Sequence, residues 1–404
     1  MNEPRVAVVV VNYGSSHLLA RNLTASTAAD DLVIVVDSYT DEVEREAVLA
    51  LGELHGWLVE TPSFNTGFGG GMNLGASRAL AERATSLLLN PDARLAPDLR
   101  ERLIEQVEED QRLLLAPRIT TSTGGRWMSQ VMDLRLSDGT PRSSRHRLDG
   151  EQVMEWVSGA VMALSADLWI QIGGFDEDYF LYWEDIDLCR RAHEVGATVR
   201  VDEDVVAVHD EGGTHADGSG PAKSEAFYYY NIRNRALYAS KWMGPADQAR
   251  WRLRTLSAAW GTMLTGGRRQ FIESIKPWRA FARGLGASLR ISLSGGTPQP
   301  RGRRVAASVS ATKADARVVR VLESFAEPTN LTNPYITQLR DALAATSGVE
   351  VYCWSWRRAM LGGFDVFHAH WPEALIEGRS RPNTAARRVL YALFLLRLWI
   401  TRTP

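Results

Sequence analysis

From residue 5 to residue 92 the chain alternates short aliphatic, β-branched runs with amphipathic stretches, and this alternation limits its fold more than any other feature. Arg5–Val11, Leu32–Val36, Trp57–Glu60 and Leu87–Leu89 read as strands. Leu18–Ala28, Glu42–His55 and Asn73–Arg83 read as the helices between them. Strand followed by helix, repeated, implies a parallel sheet with right-handed crossovers, since parallel neighbours cannot be joined by a tight turn. The expected fold is therefore α/β, Rossmann-like, with a mostly parallel sheet. In such sheets ligands gather at the carboxyl ends of the strands. The polar residues there are Asn12-Tyr13, Asp37 and Asn90-Pro91-Asp92.

The 404 residues allow two or three domains. Two cysteines, Cys189 and Cys353, lie far apart, and the first apolar run is too short for a signal peptide. A disulfide scaffold is excluded and a reducing compartment is expected. No apolar run reaches the roughly 20 residues of a membrane span. The formal net charge is −2, but residues 1–225 carry 19 basic and 38 acidic residues, and residues 226–404 carry 27 basic and 10 acidic ones. The expected order is a catalytic domain at 1–225, a basic helical extension at 226–294, a linker at 295–304 and a partial α/β domain at 305–404. Basic residues in the second half are dispersed and no nucleic-acid motif accompanies them, so no nucleic-acid partner is expected.

Four segments have the composition of a reacting site. Asn90-Pro91-Asp92 is either a Pro-Asp turn or a place where a carboxylate holds a hard divalent cation. Asn65-Thr-Gly67-Phe-Gly-Gly-Gly-Met-Asn73 reads as a glycine-rich loop leading into a helix, either empty or open to a phosphate or sugar. Glu184-Asp185-Ile186-Asp187 follows an aromatic stretch. It is either an acidic first helical turn facing the helix dipole or a set of crowded carboxylates suited to general base work. His209 ends the run Val205–Val208; it is a packed histidine or, beside Asp92, a ligand for a metal such as manganese.

Taken in chain order, Val-Val-Asn12-Tyr13, Val-Val-Asp37-Ser38, the Asn65–Asn73 and Asn90–Asp92 segments, Val-Ser158-Gly159-Ala, and Gly-Gly-Phe-Asp176-Glu with the Glu184–Asp187 cluster resemble the inverting GT-A glycosyltransferases that use nucleotide sugars, in their rhamnosyltransferase-like branch. The resemblance covers about residues 4–240. It implies that Asn12, Tyr13, Asp37, Asn65, Gly67, Asn73 and Asn90 serve the donor, with Tyr13 and Asp37 at the nucleobase. Asp92 matches the last acid of the family's metal-binding D-x-D position, and Asn90 replaces the first. His209 matches the downstream histidine of related galactofuranosyltransferases, so Asp92 and His209 are the expected ligands of Mg²⁺ or Mn²⁺. Asp185, paired with Glu184, matches the catalytic base. Trp156, Gly159, Trp183 and Asp187 are expected around the acceptor.

The implied activity is inverting transfer of a sugar, foremost L-rhamnose from dTDP-rhamnose, to a lipid-linked or cell-envelope glycan. Transfer from UDP-galactofuranose or another UDP-sugar, and a non-catalytic module that binds a nucleotide sugar or glycan, are the alternatives. Residues 305–404, with Phe364-Asp-Val-Phe-His368-Ala-His370, resemble the opening part of a GT-B glycosyltransferase. Arginines and lysines interleaved with Trp, Phe and Ile around Arg268–Arg283 suggest a helix at an anionic membrane surface, hence a peripheral protein on the cytoplasmic face of the plasma membrane. The rival role for that helix is packing against the acidic half.

Overall fold

The computed structural model of the chain describes residues 6–82, 84–209, 223–293, 319–327, 336, 339–340, 343–344, 349–369, 373–376 and 381–401. Two compact units divide at Ala306 and Ala307. The linker at 295–304 and His370 lie outside the described residues.

The first unit is built on one large sheet. Its strands are β1 (Val6–Asn12), β2 (Leu32–Asp37), β3 (Leu58–Glu60), β4 (Thr85–Leu89), β5 (Ala93–Leu95), β6 (Leu113–Thr120), β7 (Arg126–Met128), β11 (Val161–Leu164) and β12 (Thr198–His209). A small antiparallel sheet holds β8 (Met132–Arg135), β9 (Thr140–Ser143) and β10 (Val153–Trp156). The large sheet runs β3-β2-β1-β4-β11-β6-β12-β5, with β7 also paired to β6. Strands β1 to β4 are parallel to one another, as expected. Beyond them the sheet is mixed: β11 is antiparallel to both β4 and β6. Among the described residues between β6 and β11 the chain forms the small sheet and no crossover α-helix, so it re-enters in the opposite direction.

Val6 to Val11 is an unbroken apolar run because both faces of β1 are covered. Ala7, Val9 and Val11 face a core with Met72 and Ala76, while Val6, Val8 and Val10 face Leu19, Leu23 and Leu87. Helix α1 (Glu42–His55) has the expected bounds, with Asp41 accepting from the Glu44 N–H at its start. The helix expected over Leu18–Ala28 stops at Leu23. The Thr24, Ser26 and Thr27 hydroxyls bond back to the carbonyls of Ala20, Asn22 and Leu23, offering that backbone an alternative to further helix.

The glycine-rich segment is not a loop. It forms the first turns of α2 (Gly67–Ala81). At Gly75 a Cβ would stand 2.3 Å from Val9 Cγ1, so glycine lets this helix press onto β1. The remaining helices are α3 (Pro97–Glu109), α4 (Ala166–Ile172) and α5 (Glu184–Glu194). The basic helical segment supplies α6 (Glu225–Trp242), α7 (Pro245–Leu253), α8 (Thr255–Leu264), α9 (Gln270–Glu273) and α10 (Lys276–Leu293), all within the first unit. Part of its charge is spent internally. Lys241 Nζ, fully buried, meets Asp176 and Asp178, Arg235 donates to the Asp138 carbonyl, and Arg279 pairs with Glu225.

The second unit contains a three-stranded parallel sheet in the order β14 (Val349–Tyr352), β13 (Val319–Glu323) and β15 (Val366–His368), with α11 (Trp356–Leu361), α12 (Glu373–Ile376) and α13 (Arg381–Thr401). Phe394 of α13 is buried with Leu322, Ala359 and Phe364, so the apolar C-terminal helix contributes one face to a core. No helix among the described residues is long and apolar enough to cross a membrane.

Candidate active site

A cleft of about 460 Å³ opens where β1 and β4 end and α5 begins. That volume suits a small ligand and the position is where α/β sheets bind one. Eleven of the expected site residues line it: Tyr13, Asn65, Gly67, Asn90, Asp92, Trp156, Gly159, Trp183, Glu184, Asp185 and His209.

The acids at its floor are held by a strained turn. Tyr182 and Trp183, directly before α5, have φ of 63° and 75°. Bulky residues in this left-handed region cost about 1–3 kcal/mol each and persist only where surroundings enforce them. The Phe180 carbonyl accepts from the Phe68 N–H at 3.0 Å. Gly67 is required beside it, with φ of 73° and no room for a Cβ, which would meet the Phe180 oxygen at 2.3 Å. The turn delivers Glu184 and Asp185 as the first residues of α5. Asp185 is partly exposed, with Oδ2 accepting from the Gly159 N–H at 3.2 Å and Oδ1 from the Ile186 N–H at 2.8 Å. Desolvation within the cleft outweighs these bonds and raises its carboxyl to about 6. Glu184 is more deeply buried; burial first, and the neighbouring Asp185 second, push it well above the usual carboxylate range.

Across the cleft Asp92 precedes β5 and His209 ends β12, on neighbouring antiparallel strands. His209 Nε2 lies 3.1 Å from Asp92 Oδ1, and both side chains are almost fully buried. Among the described residues no group of three or more His, Cys, Asp or Glu gathers to hold a metal. One carboxylate and one imidazole nevertheless fit a cation such as Mn²⁺ or Mg²⁺ that completes its shell with substrate phosphate and water. Among the described residues, Asn90 Oδ1, Trp156 Nε1 and Glu184 Oε2 are buried at the cleft without a protein partner. Buried groups of this kind are completed by water or by a ligand.

Four expected residues do not reach the cleft. Asn12 is fully buried; its amide donates to Asp37 and Glu44, and its carbonyl oxygen accepts from Ser15. Asp37, also fully buried, is closed by Arg45 at 2.9 Å and by Asn12, and its neighbour Ser38 lines the cleft instead. Asn73 holds the Phe175 backbone through both its carbonyl and amide groups. Asp187 is fully buried between Arg191 Nε at 2.8 Å and Trp242 Nε1 at 2.7 Å, on the face of α5 turned from the cleft. The Gly159 N–H is occupied by Asp185, so this residue orients the acid.

Other cleft residues carry no strong sequence signal. Phe68, Phe180, Tyr182, Phe227, Tyr230 and Asn231 line it. The aromatic run Phe227-Tyr-Tyr-Tyr230 was the available hint. The side chains of that run divide three ways: Tyr228 goes into a core, where it bonds Gln270, Tyr229 lies under the Arg283 guanidinium, and Phe227 and Tyr230 face the cleft.

The chain is 25% identical over 244 residues to a low-salt glycan biosynthesis hexosyltransferase of Haloferax volcanii, covering 57% of this chain and 74% of that protein. A GDP-mannose:glycolipid 4-beta-D-mannosyltransferase of Xanthomonas campestris is 42% identical over 99 residues, 24% of this chain and 28% of that protein. An N-acetylglucosaminyl-diphospho-decaprenol L-rhamnosyltransferase of Mycobacterium tuberculosis is 33% identical over 109 residues, 26% of this chain and 33% of that protein. The chain thus spans about a third or less of the length of these last two relatives. The family model for glycosyltransferase-like family 2 matches residues 4–221, more than half of the sequence and the whole of the cleft's strands, and the chain belongs to that family.

Proposed function

We propose that the protein is an inverting hexosyltransferase that moves a sugar from a nucleoside-diphosphate donor to a hydroxyl of a lipid-linked or envelope glycan. The observation that carries this reading is the single cleft lined by Asp185 on one wall and by the Asp92–His209 pair on another. Asp185, raised to about 6, is ionised at neutral pH and basic enough to accept a proton. It takes the acceptor hydroxyl proton while that oxygen attacks the anomeric carbon from the face opposite the diphosphate. The bond from that carbon to the diphosphate oxygen breaks, and the anomeric centre inverts through an oxocarbenium-like state. Glu184, its carboxyl pushed up by burial and by the neighbouring Asp185, presents Oε2 at the cleft to the ligand. Asp92 and His209 would hold a divalent cation, which when bound neutralises charge developing on the leaving diphosphate. The half-exposed Tyr13 ring offers a face for the nucleobase, and Trp156 and the α6 aromatics a wall for the acceptor.

Two of the relatives named above are a GDP-mannose:glycolipid mannosyltransferase and an L-rhamnosyltransferase, and the rhamnosyltransferase-like resemblance favours dTDP-rhamnose, with UDP-sugars next. Thermal-shift screening of dTDP-rhamnose, UDP-galactofuranose, other UDP-sugars and GDP-mannose, each with Mn²⁺ or Mg²⁺, tests the reading; a donor at 100 Kd adds about 2.7 kcal/mol. No shift with any of them, and no metal-dependent release of nucleoside diphosphate, would sink it. A donor that binds without transfer would favour the non-catalytic module.

A peripheral place at an anionic membrane, on its cytoplasmic side, is part of the same reading. Leu256, Trp260, Ile272, Ile275 and Trp278 are exposed on α8 to α10, beside exposed Arg268, Arg269, Lys276 and Arg283. Apolar and cationic groups so interleaved suit the headgroup region. Co-sedimentation with vesicles should require anionic lipid and weaken with salt; indifference to such vesicles at low salt would remove this part.

A further inference from the structure

We infer that Asn234, on α6, is a positioning residue for the acids at the cleft floor, acting through the strained turn that presents them. Its side chain is fully buried, and its amide nitrogen lies 2.9 Å from the Leu181 carbonyl and 2.7 Å from the Tyr182 carbonyl. Those are the two peptide groups that lead into the left-handed pair Tyr182–Trp183. A carboxamide supplies two N–H donors from one nitrogen, so one side chain fixes two successive carbonyls. The rest of α6 holds the same segment. Arg233 Nη1 donates to the Asp178 carbonyl at 3.0 Å, Asn231 Oδ1 accepts from the Trp183 indole at 3.3 Å, and Trp183 packs on Tyr238. Asn231, Asn234, Tyr238 and Lys241 fall at intervals of three, four and three, one face of a helix. That face is laid along residues 176–183, and the turn is held in its unfavourable conformation from there.

The consequence is kinetic. If the clamp is removed, the turn relaxes toward ordinary backbone angles and the Asp185 carboxylate leaves its working position. The donor walls at Tyr13, Asn65 and Asp92 stand on other elements and stay in place. This inference rests on the proposed role of Asp185, and the experiment separates the two.

Asn234→Ala should lower kcat about tenfold or more, as misplacement of a reacting group by about 1 Å does. The donor KM, and the affinity for dTDP and UDP with Mn²⁺, should stay within about twofold. Hydrogen exchange should rise in residues 180–187 and not in β1 or β4. Tyr182→Gly accepts a positive φ without help. Measured against Tyr182→Gly alone, adding Asn234→Ala should therefore cost several-fold less in kcat than it does in the parent. If Asn234→Ala does not fold, the double variant should. An unchanged kcat, a parallel loss of kcat and nucleotide affinity, an equal cost in both backgrounds, or a double variant that also fails to fold would each overturn the inference. Asp185→Asn is run beside them. If it retains transfer, the role of Asp185 fails, while the exchange and rescue data still decide whether Asn234 holds the turn.

Discussion

Two groups of polar residues stand at the ends of elements in the first unit, and their fates differ. At the ends of β1 and β2, Asn12 and Asp37 look inward: Arg45, Glu44 and Ser15 satisfy them, and both are fully buried. At the end of β4 and the start of α5, Glu184 is buried and Asn90 half-buried with its Oδ1 shielded, yet among the described residues each keeps an oxygen without a protein partner beside an open cleft. A polar residue after a buried strand is therefore a structural joint or a ligand contact according to whether the protein itself fills its hydrogen bonds. Burial alone does not separate the two groups.

The contrast breaks most visibly at Asp185. Asp185→Asn should leave the fold and nucleotide binding intact while transfer falls by about 10²–10⁴; retained transfer would move the base to Glu184. Next come Asp92→Ala and His209→Ala. Each should weaken the response to Mn²⁺ by roughly 10–100-fold in half-saturating concentration, and an unchanged metal response in either would remove that residue from the cation site. On the other side of the contrast, Asp37→Ala strips the partner from a largely buried arginine. We expect a loss of about 2–4 kcal/mol in unfolding free energy and a donor KM that hardly moves. A raised KM with unchanged stability would return Asp37 to the donor site.

The smallest expected effect concerns pH. A base raised to about 6 makes kcat/KM fall as pH drops through 6. Stability runs the other way. The folded carboxyl holds its proton up to about pH 6, whereas the unfolded one releases it near 3.8. The folded state thus binds more protons between those values, and Asp185 costs stability as pH rises through the window. Asp185→Asn should raise the melting temperature at pH 7–8, by a change on the order of 1–2 kcal/mol, and should leave it nearly unchanged at pH 3. A stabilisation of equal size at both pH values would mean that charge is not its cause.

Much of the site is legible in the sequence because it rests on local chemistry. The Val run of β1, the capped helix Glu42–His55, Asn90-Pro-Asp92 and the acid cluster each announce themselves within a dozen residues. What local chemistry leaves open is partnership. Nothing between Asn12 and Asp37 says that Arg45 will close the carboxylate, and nothing in Glu184-Asp-Ile-Asp187 says which acids face the cleft. Each residue of a helix is rotated by about 100° from the one before, so Asp185 reaches the cleft while Asp187 meets Arg191 and Trp242.

The sequence by itself determined that strands and helices alternate, that the acids stand at the start of a helix, and that Asp92 and His209 each end or follow a strand. The tertiary structure decided which of these meet. It brought Asp92 to 3.1 Å from His209 through strand pairing across more than a hundred residues. It turned the glycine segment from a loop into a helix and set Gly71 against β1, where a Cβ would stand 2.7 Å from Val11 Cγ2. It also set Asn234 of a helix that reads as a basic extension against the turn before Glu184. Propensity and periodicity act over a few residues and are written in the chain. Contact across it depends on which buried groups find partners, and only the packed fold settles that.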